Sequence, residues 1–241
     1  MQIIDRPSPN HDARPQGQDV DILVLHYTDM ESAEAALSRM TDPAARVSAH
    51  YCVDEGGTVY RLVPEDRRAW HAGVSFWAGA SDINARSIGI ELVNPGHTCG
   101  YRPFPEAQMQ ALEELVRGIL ARHPIPAHRV LGHSDVAPAR KIDPGELFDW
   151  RRLARAGIDL WPEALAIPDP GPADTPLELS DVQSKLGRFG YGVAVTGILD
   201  QATRQALSAF QRHFRPACFD GTPDSETRRL LAAAVASISQ V

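Results

Sequence analysis

Three side chains of this 241-residue chain, His26, His133 and Asp143, are of the types that hold a catalytic zinc ion, and two more, Glu91 and Lys141, suit the chemistry beside it. Two imidazoles and a carboxylate leave a fourth position for water. A further carboxylate can move that water's proton, and an ammonium can meet a developing negative charge. They fall among six short segments: LVLHYT ending at Thr28, SAHYCVD from Ser48, AWHAG from Ala69, SIGIELVN from Ser87, GHSD from Gly132 and RKIDPG from Arg140. Taken singly, each residue has a plainer reading. His26 shares a strand face with Ile22 and Val24, as a hydrogen-bonded interior histidine would. His133 suits a cap, and Asp143 a turn before Pro144-Gly145. Glu91 suits a solvated strand position and Lys141 the surface. The joint reading draws on all three candidate ligands lying at element ends in apolar surroundings.

The elements that must position them follow from periodicity. Asp21 to Tyr27 is a short β-branched run with Leu23 and Leu25 opposite Ile22, Val24 and His26. Ala33, Ala36, Leu37 and Met40 predict a helix, with Pro43 just beyond it. His50 to Val53 and Val59 to Val63 read as strands around the Asp54–Gly57 turn. In Ile88 to Val93, Glu91 shares a face with Gly89 and Val93, away from Ile88, Ile90 and Leu92. Met109 to Leu120 is the clearest amphipathic helix, stopped by Pro124. Val130 and Leu131 lead into GHSD, and Lys141 and Asp143, two apart, point the same way from an extended backbone. Strands interleaved with helices indicate an α/β layer with a central sheet.

A net charge of −7 and a pI near 5.7 leave no clustered basic face for nucleic acid. No run approaches the ~18 apolar residues of a membrane span. Cys52, Cys99 and Cys218 have unrelated spacings and no metal-ligand pattern, so they form no disulfide framework. Residues 1–19 read as an extended arm without the basic start and apolar core of a Sec signal. The segment 166–176 carries four prolines in eleven residues and reads as a linker. Residues 20–165 then make one domain and 177–241 a small helical one. D-x-x-T-R occurs at both Asp200 and Asp224, either as a faint repeat or as two similarly capped helices.

From Val20 to Trp161 the six segments, in order, resemble zinc-dependent N-acetylmuramoyl-L-alanine amidases of the AmpD/AmiD type. The resemblance implies a central mixed β-sheet flanked by helices, with one Zn2+ on His26, His133 and Asp143. It implies Glu91 as the base and Lys141 as its catalytic partner, acting on a water whose pKa zinc lowers toward ~7. Where some distant relatives carry a tyrosine, this chain has Ala49, which leaves Glu91 as the base. Trp70, His71 and Asn84 match segments bordering the substrate groove, and His50 a structural histidine. His11, His97, His123, His128 and His213 carry no such context and are expected at the surface.

The tail, with VTGILDQATRQALSAFQRHF and Asp224 to Leu231, resembles the three-helix peptidoglycan-binding module often fused to wall hydrolases. Its plainer reading is a helical packing or dimerisation domain. The partners implied are peptidoglycan or muropeptides, which such a module would bring within reach by tethering. A wall-binding tail points to the cell envelope or periplasm, and the lack of a Sec signal to the cytoplasm as the alternative. Two rival readings remain at this level: a peptidoglycan-binding protein without catalysis, and a non-haem iron oxygenase, whose histidine-x-aspartate start is absent.

Overall fold

A computed structural model describes residues 3–162 and 176–238. Its strands are β1 (Ile3–Asp5), β2 (His11–Ala13), β3 (Ile22–Tyr27), β4 (Tyr51–Val53), β5 (Val59–Arg61), β6 (Arg67–Ala69), β7 (Ser87–Leu92) and β8 (Val130–Gly132). Six of them form one sheet in the order β1-β5-β4-β7-β3-β8, and β2 pairs with β6. The β4–β5 hairpin is antiparallel, whereas β4–β7, β7–β3 and β3–β8 are parallel, so the sheet is mixed. Asp54 Oδ1 accepts from the Gly56 and Thr58 amides to close the hairpin. Gly57 sits there at φ 86°, where a Cβ would lie 2.7 Å from the Ala107 carbonyl oxygen.

The helices are α1 (Ala33–Thr41), α2 (Ile83–Arg86), α3 (Gly96–Cys99), α4 (Glu106–Arg122), α5 (His133–Val136), α6 (Trp150–Arg155), α7 (Pro176–Phe189), α8 (Gln201–Phe214) and α9 (Ser225–Ile238). Ser32 caps α1 by accepting from the Ala35 amide. Strand alternation sorts the core. Leu23, Leu25, Ile88, Ile90 and Leu92 pack with Leu112, Leu115, Val116 and Ile119 of α4 on one face. On the other, Cys52 and Val93 pack with Ala36, Leu37 and Met40 of α1.

The remainder of that second face packs against the C-terminal helices. Ile22, Val24, Leu131 and Val136 share one buried cluster with Val182, Leu186, Phe189, Phe210, Phe214 and Leu231 of the C-terminal helices. Trp77 is buried in the same cluster and meets Tyr191 edge-on at 4.9 Å. Fully burying each such side chain contributes roughly 1.5–3 kcal/mol, so the helical unit is docked by a shared core. The expected linker lies outside the described residues up to 175, and Pro176 already opens α7.

Histidine 213, expected at the surface, is 2% exposed. Its Nδ1 lies 2.9 Å from Asp135 Oδ2 and its Nε2 3.1 Å from Asp159 Oδ2, and its ring stacks on Trp150 at 3.7 Å. Burial would discharge the imidazole, but the two carboxylates win and raise its pKa to about 9. Tyr191 also donates to Asp135, at 2.6 Å. A polar clamp therefore joins the helical unit to α5. Period counting sees His213 only as the polar end of a helix.

The D-x-x-T-R recurrence proves to be a structural repeat. Asp200 and Asp224 accept from the Thr203 and Thr227 amides. In each copy a buried glutamine ties the preceding loop to that threonine: Gln183 to the Gly197 amide and Thr203 Oγ1, Gln211 to the Gly221 amide and Thr227 Oγ1.

The N-terminal arm is extended but not detached. β1 adds to the sheet edge beside β5, and β2 pairs with β6. Arg14 donates to the carbonyl oxygens of Glu65, Asn84, Ala85 and Ser87 at 2.7–3.1 Å. Nothing in the arm's composition announced that anchor.

Candidate metal centre

The carboxyl ends of β3, β7 and β8 lie side by side, the place where open α/β sheets bind ligands. His26 of β3 is in register with Glu91 of β7, and β8 runs directly into His133. Asp143 arrives from the loop after α5, held by a bond from the Ser134 amide to its carbonyl. His26 Nδ1 is 2.9 Å from His133 Nδ1 and 3.2 Å from Asp143 Oδ2, and His133 Nδ1 is 3.1 Å from Asp143 Oδ2. Ligand atoms arranged tetrahedrally at ~2.0–2.1 Å from zinc stand ~3.3 Å apart, so this triangle is close to the size one ion requires. His26, His133 and Asp143 form the one His/Cys/Asp/Glu group of this kind among the described residues.

Donor chemistry agrees with the spacing. His133 Nε2 faces the Ala72 carbonyl oxygen at 3.1 Å, an acceptor only. Nε2 therefore donates to that oxygen, and Nδ1 is the atom turned toward His26 and Asp143. Burial and the neighbouring His133 lower the His26 pKa to about 4, so its ring is neutral at pH 7. Burial works to raise the Asp143 carboxyl, but His133 and His26 outweigh it and hold it well below the usual range. Two imidazole nitrogens and a carboxylate oxygen are a donor set that fits a divalent cation.

Glu91 lies across the β3–β7 ladder from His26 and lines the groove with His133 and Asp143. Its Oε2 is buried without a hydrogen-bond partner among the described residues. Burial first, then the Asp143 charge, push its pKa well above the ordinary carboxylate range, against the pull of Lys141. Glu91, Lys141, His133 and Asp143 line one groove of about 350 Å³, with Trp70 along the same wall. The Trp70 Nε1 donates to Asp12 Oδ2 at 2.7 Å, which leaves the partly exposed ring beside the groove.

Of the other two expected groove residues, His71 lines the groove and Asn84 does not. Asn84 is 6% exposed and spends its Oδ1 on the His71 and Ala72 amides, at 3.1 and 2.7 Å, below the groove. His71 touches the groove but stacks edge-on against His26, with His26 Nε2 3.0 Å from His71 Nδ1. Burial depresses its pKa. His50 is fully buried, accepting from the Gly89 amide at Nδ1 and facing the Arg67 carbonyl at Nε2. His97, expected at a plain surface, lines the groove instead. Its Nδ1 is 2.9 Å from the Tyr27 hydroxyl, its Nε2 3.2 Å from Glu146, and its ring stacks on Tyr101. Only the fold of the loop after β7 brings it there, so sequence spacing carried no sign of it.

Comparison with known proteins agrees with this architecture. Residues 16–146 match the N-acetylmuramoyl-L-alanine amidase family, and residues 176–231 match a putative peptidoglycan binding domain. The N-acetylmuramoyl-L-alanine amidase AmiD of Escherichia coli is 37% identical, over 99% of this chain and 92% of its own. The 1,6-anhydro-N-acetylmuramyl-L-alanine amidase AmpD of Enterobacter cloacae is 37% identical over 61% of this chain and 86% of its own. Among solved structures, AmiD from E. coli in complex with the substrate anhydro-N-acetylmuramic acid-L-Ala-D-γ-Glu-L-Lys superposes with a TM-score of 0.81 at 35% identity, covering 95% of this chain and 94% of that one. AmpDh3 from Pseudomonas aeruginosa gives 0.80 at 33% identity, covering 93% and 94%. By sequence match along nearly its whole length and by fold, the chain belongs to the N-acetylmuramoyl-L-alanine amidase family.

Proposed function

We propose that this protein hydrolyses the amide between the lactyl group of N-acetylmuramic acid and the L-alanine of the stem peptide, in peptidoglycan fragments, with one zinc ion on His26, His133 and Asp143. The observation that carries this reading is the convergence of three ligand atoms within 3.2 Å of one another, two of them from groove-lining residues, with the buried Oε2 of Glu91, which has no hydrogen-bond partner among the described residues. Zinc bound there supplies Lewis acidity and an acidified water. Glu91 takes the attacking water's proton and returns it to the departing amine nitrogen, a shuttle that its raised pKa favours. Lys141, on the groove wall, donates to the carbonyl oxygen as negative charge develops, a contribution of ~3–4 kcal/mol for one good donor. The Trp70 ring borders the sugar-peptide ligand.

Residues 20–165 carry the chemistry and 177–241 hold the wall polymer, which assigns the protein to cell-wall turnover and recycling at the envelope. No helix among the described residues is long and apolar enough to cross a membrane. Purified protein incubated with soluble anhydro-muropeptides and with intact sacculi, with and without chelator, should release the free stem peptide only when metal is present, as read by mass spectrometry. Glu91→Gln should keep its zinc and lose at least 100-fold in turnover, the scale of one general acid-base group. Stem peptide released at full rate by that variant would remove Glu91 from the reaction. Binding without any product would instead favour a non-catalytic recognition protein.

A further inference from the structure

We infer that the Ile83 carbonyl, Ser87 and His71 form a hydrogen-bond relay that sets the tautomer of His26 and so makes its Nδ1 a metal donor. The direction of the relay follows from which atoms own protons. A backbone carbonyl only accepts, and Ser87 Oγ lies 2.6 Å from the Ile83 oxygen, so the single hydroxyl proton is committed there. Ser87 Oγ is also 3.1 Å from His71 Nε2 and must accept from it. His71 is 8% exposed with no carboxylate against it, so its ring stays neutral and its Nδ1 is bare. That Nδ1 lies 3.0 Å from His26 Nε2, which supplies the proton between them. His26 is then bare at Nδ1, the atom facing His133 and Asp143.

The surroundings hold the relay in place. Ser87 is fully buried at the start of β7, and Arg14 fixes its carbonyl at 2.8 Å. Asn84 anchors the His71 amide from below. The His71 ring lies flush on Gly89, where a Cβ would come within 2.4 Å of it. His71 and Ser87 are therefore positioning residues: without an acceptor at Ser87, His71 can carry its proton on Nδ1, force His26 to do the same, and close the donor atom.

This inference rests on the metal reading of the site but not on which bond is cut. The test is zinc affinity by chelator competition, together with imidazole 15N shifts of the metal-free proteins. Wild-type His26 should show the Nε2–H form. Ser87→Ala, which removes one oxygen, should weaken zinc about 10- to 100-fold and move His26 toward the Nδ1–H form. His71→Ala should lose a similar factor. His71→Asn, whose amide oxygen can accept where Nδ1 did, should keep most of the affinity. Ser87→Ala added to His71→Asn should cost nothing more, since the two act through one relay. Wild-type affinity and an unchanged His26 signal in Ser87→Ala would overturn the relay, as would an Nδ1–H form in the wild-type protein. A wild-type protein that binds no zinc would sink the metal reading, with the His26 spectrum still deciding the relay.

Discussion

Replacing His213 with phenylalanine keeps a flat ring between Trp150 and Phe214 but removes both N–H groups that Asp135 and Asp159 hold. Deleting one partner of a buried ion pair leaves uncompensated charge and costs about 3–5 kcal/mol. The pH dependence gives a separate handle on the same clamp. Below pH 6.5 the ring is charged in both folded and unfolded chains, and the stabilisation is fully present. It is lost as pH rises through the folded pKa of about 9. A rise from 6.5 to about 9 is worth about 3 kcal/mol at about 1.4 kcal/mol per pH unit. Burial raises the Asp159 carboxyl to about 6 against the pull of His213, so part of the gain is spent keeping that carboxylate charged. Urea unfolding at pH 6.5 and pH 9 should therefore show wild-type stability falling across the interval, and His213→Phe less stable than wild type at pH 6.5. Asp159→Leu added to His213→Phe should recover part of the loss, because a buried charge is replaced by an apolar group. A wild-type stability that does not fall between pH 6.5 and pH 9, or a loss under about 1 kcal/mol in His213→Phe at pH 6.5, would refute the clamp.

Gly89→Ala should fold with a displaced His71 ring and bind zinc at least about tenfold more weakly by chelator competition, since the added Cβ would lie 2.4 Å from that ring. Gln183→Leu strands the Thr196 and Gly197 amides and should lower the unfolding free energy by about 1–3 kcal/mol per stranded group. Gln211→Leu, in the second copy of the repeat, should cost a similar amount, and the same urea titrations read both.

The site was legible in the sequence to the extent that its residues sit at strand ends. Period two in Ile22–Tyr27 separated Leu23 and Leu25 from His26, and the same alternation freed Glu91 from Ile90 and Leu92, as the buried clusters show. Those patterns and the resemblance named the three side chains that the structure brings within 3.2 Å. Asn84 was assigned to the groove, which His71 does line, because motif position says which residues gather at a site but not which way a side chain turns. His97 and His213 were passed over for a related reason: each is isolated in sequence and acquires partners only from elements distant along the chain, Tyr27 and Glu146 for one, Asp135 and Asp159 for the other.

Local chemistry alone determined the elements: the Asp54 turn, the Ser32 and Asp200 caps, the α4 stripe ended before Pro124, and the type of every candidate ligand. Periodicity and capping act over a few residues, and a linear reading captures them. Tertiary structure decided how the helical unit sits, because docking depends on Ile22, Val24 and Leu131 finding Phe210 and Leu186 across the sheet face. It also decided the proton inventory around His26, which depends on a carbonyl, a hydroxyl and an imidazole meeting at 2.6–3.1 Å from residues that carry no such information in their own neighbourhoods.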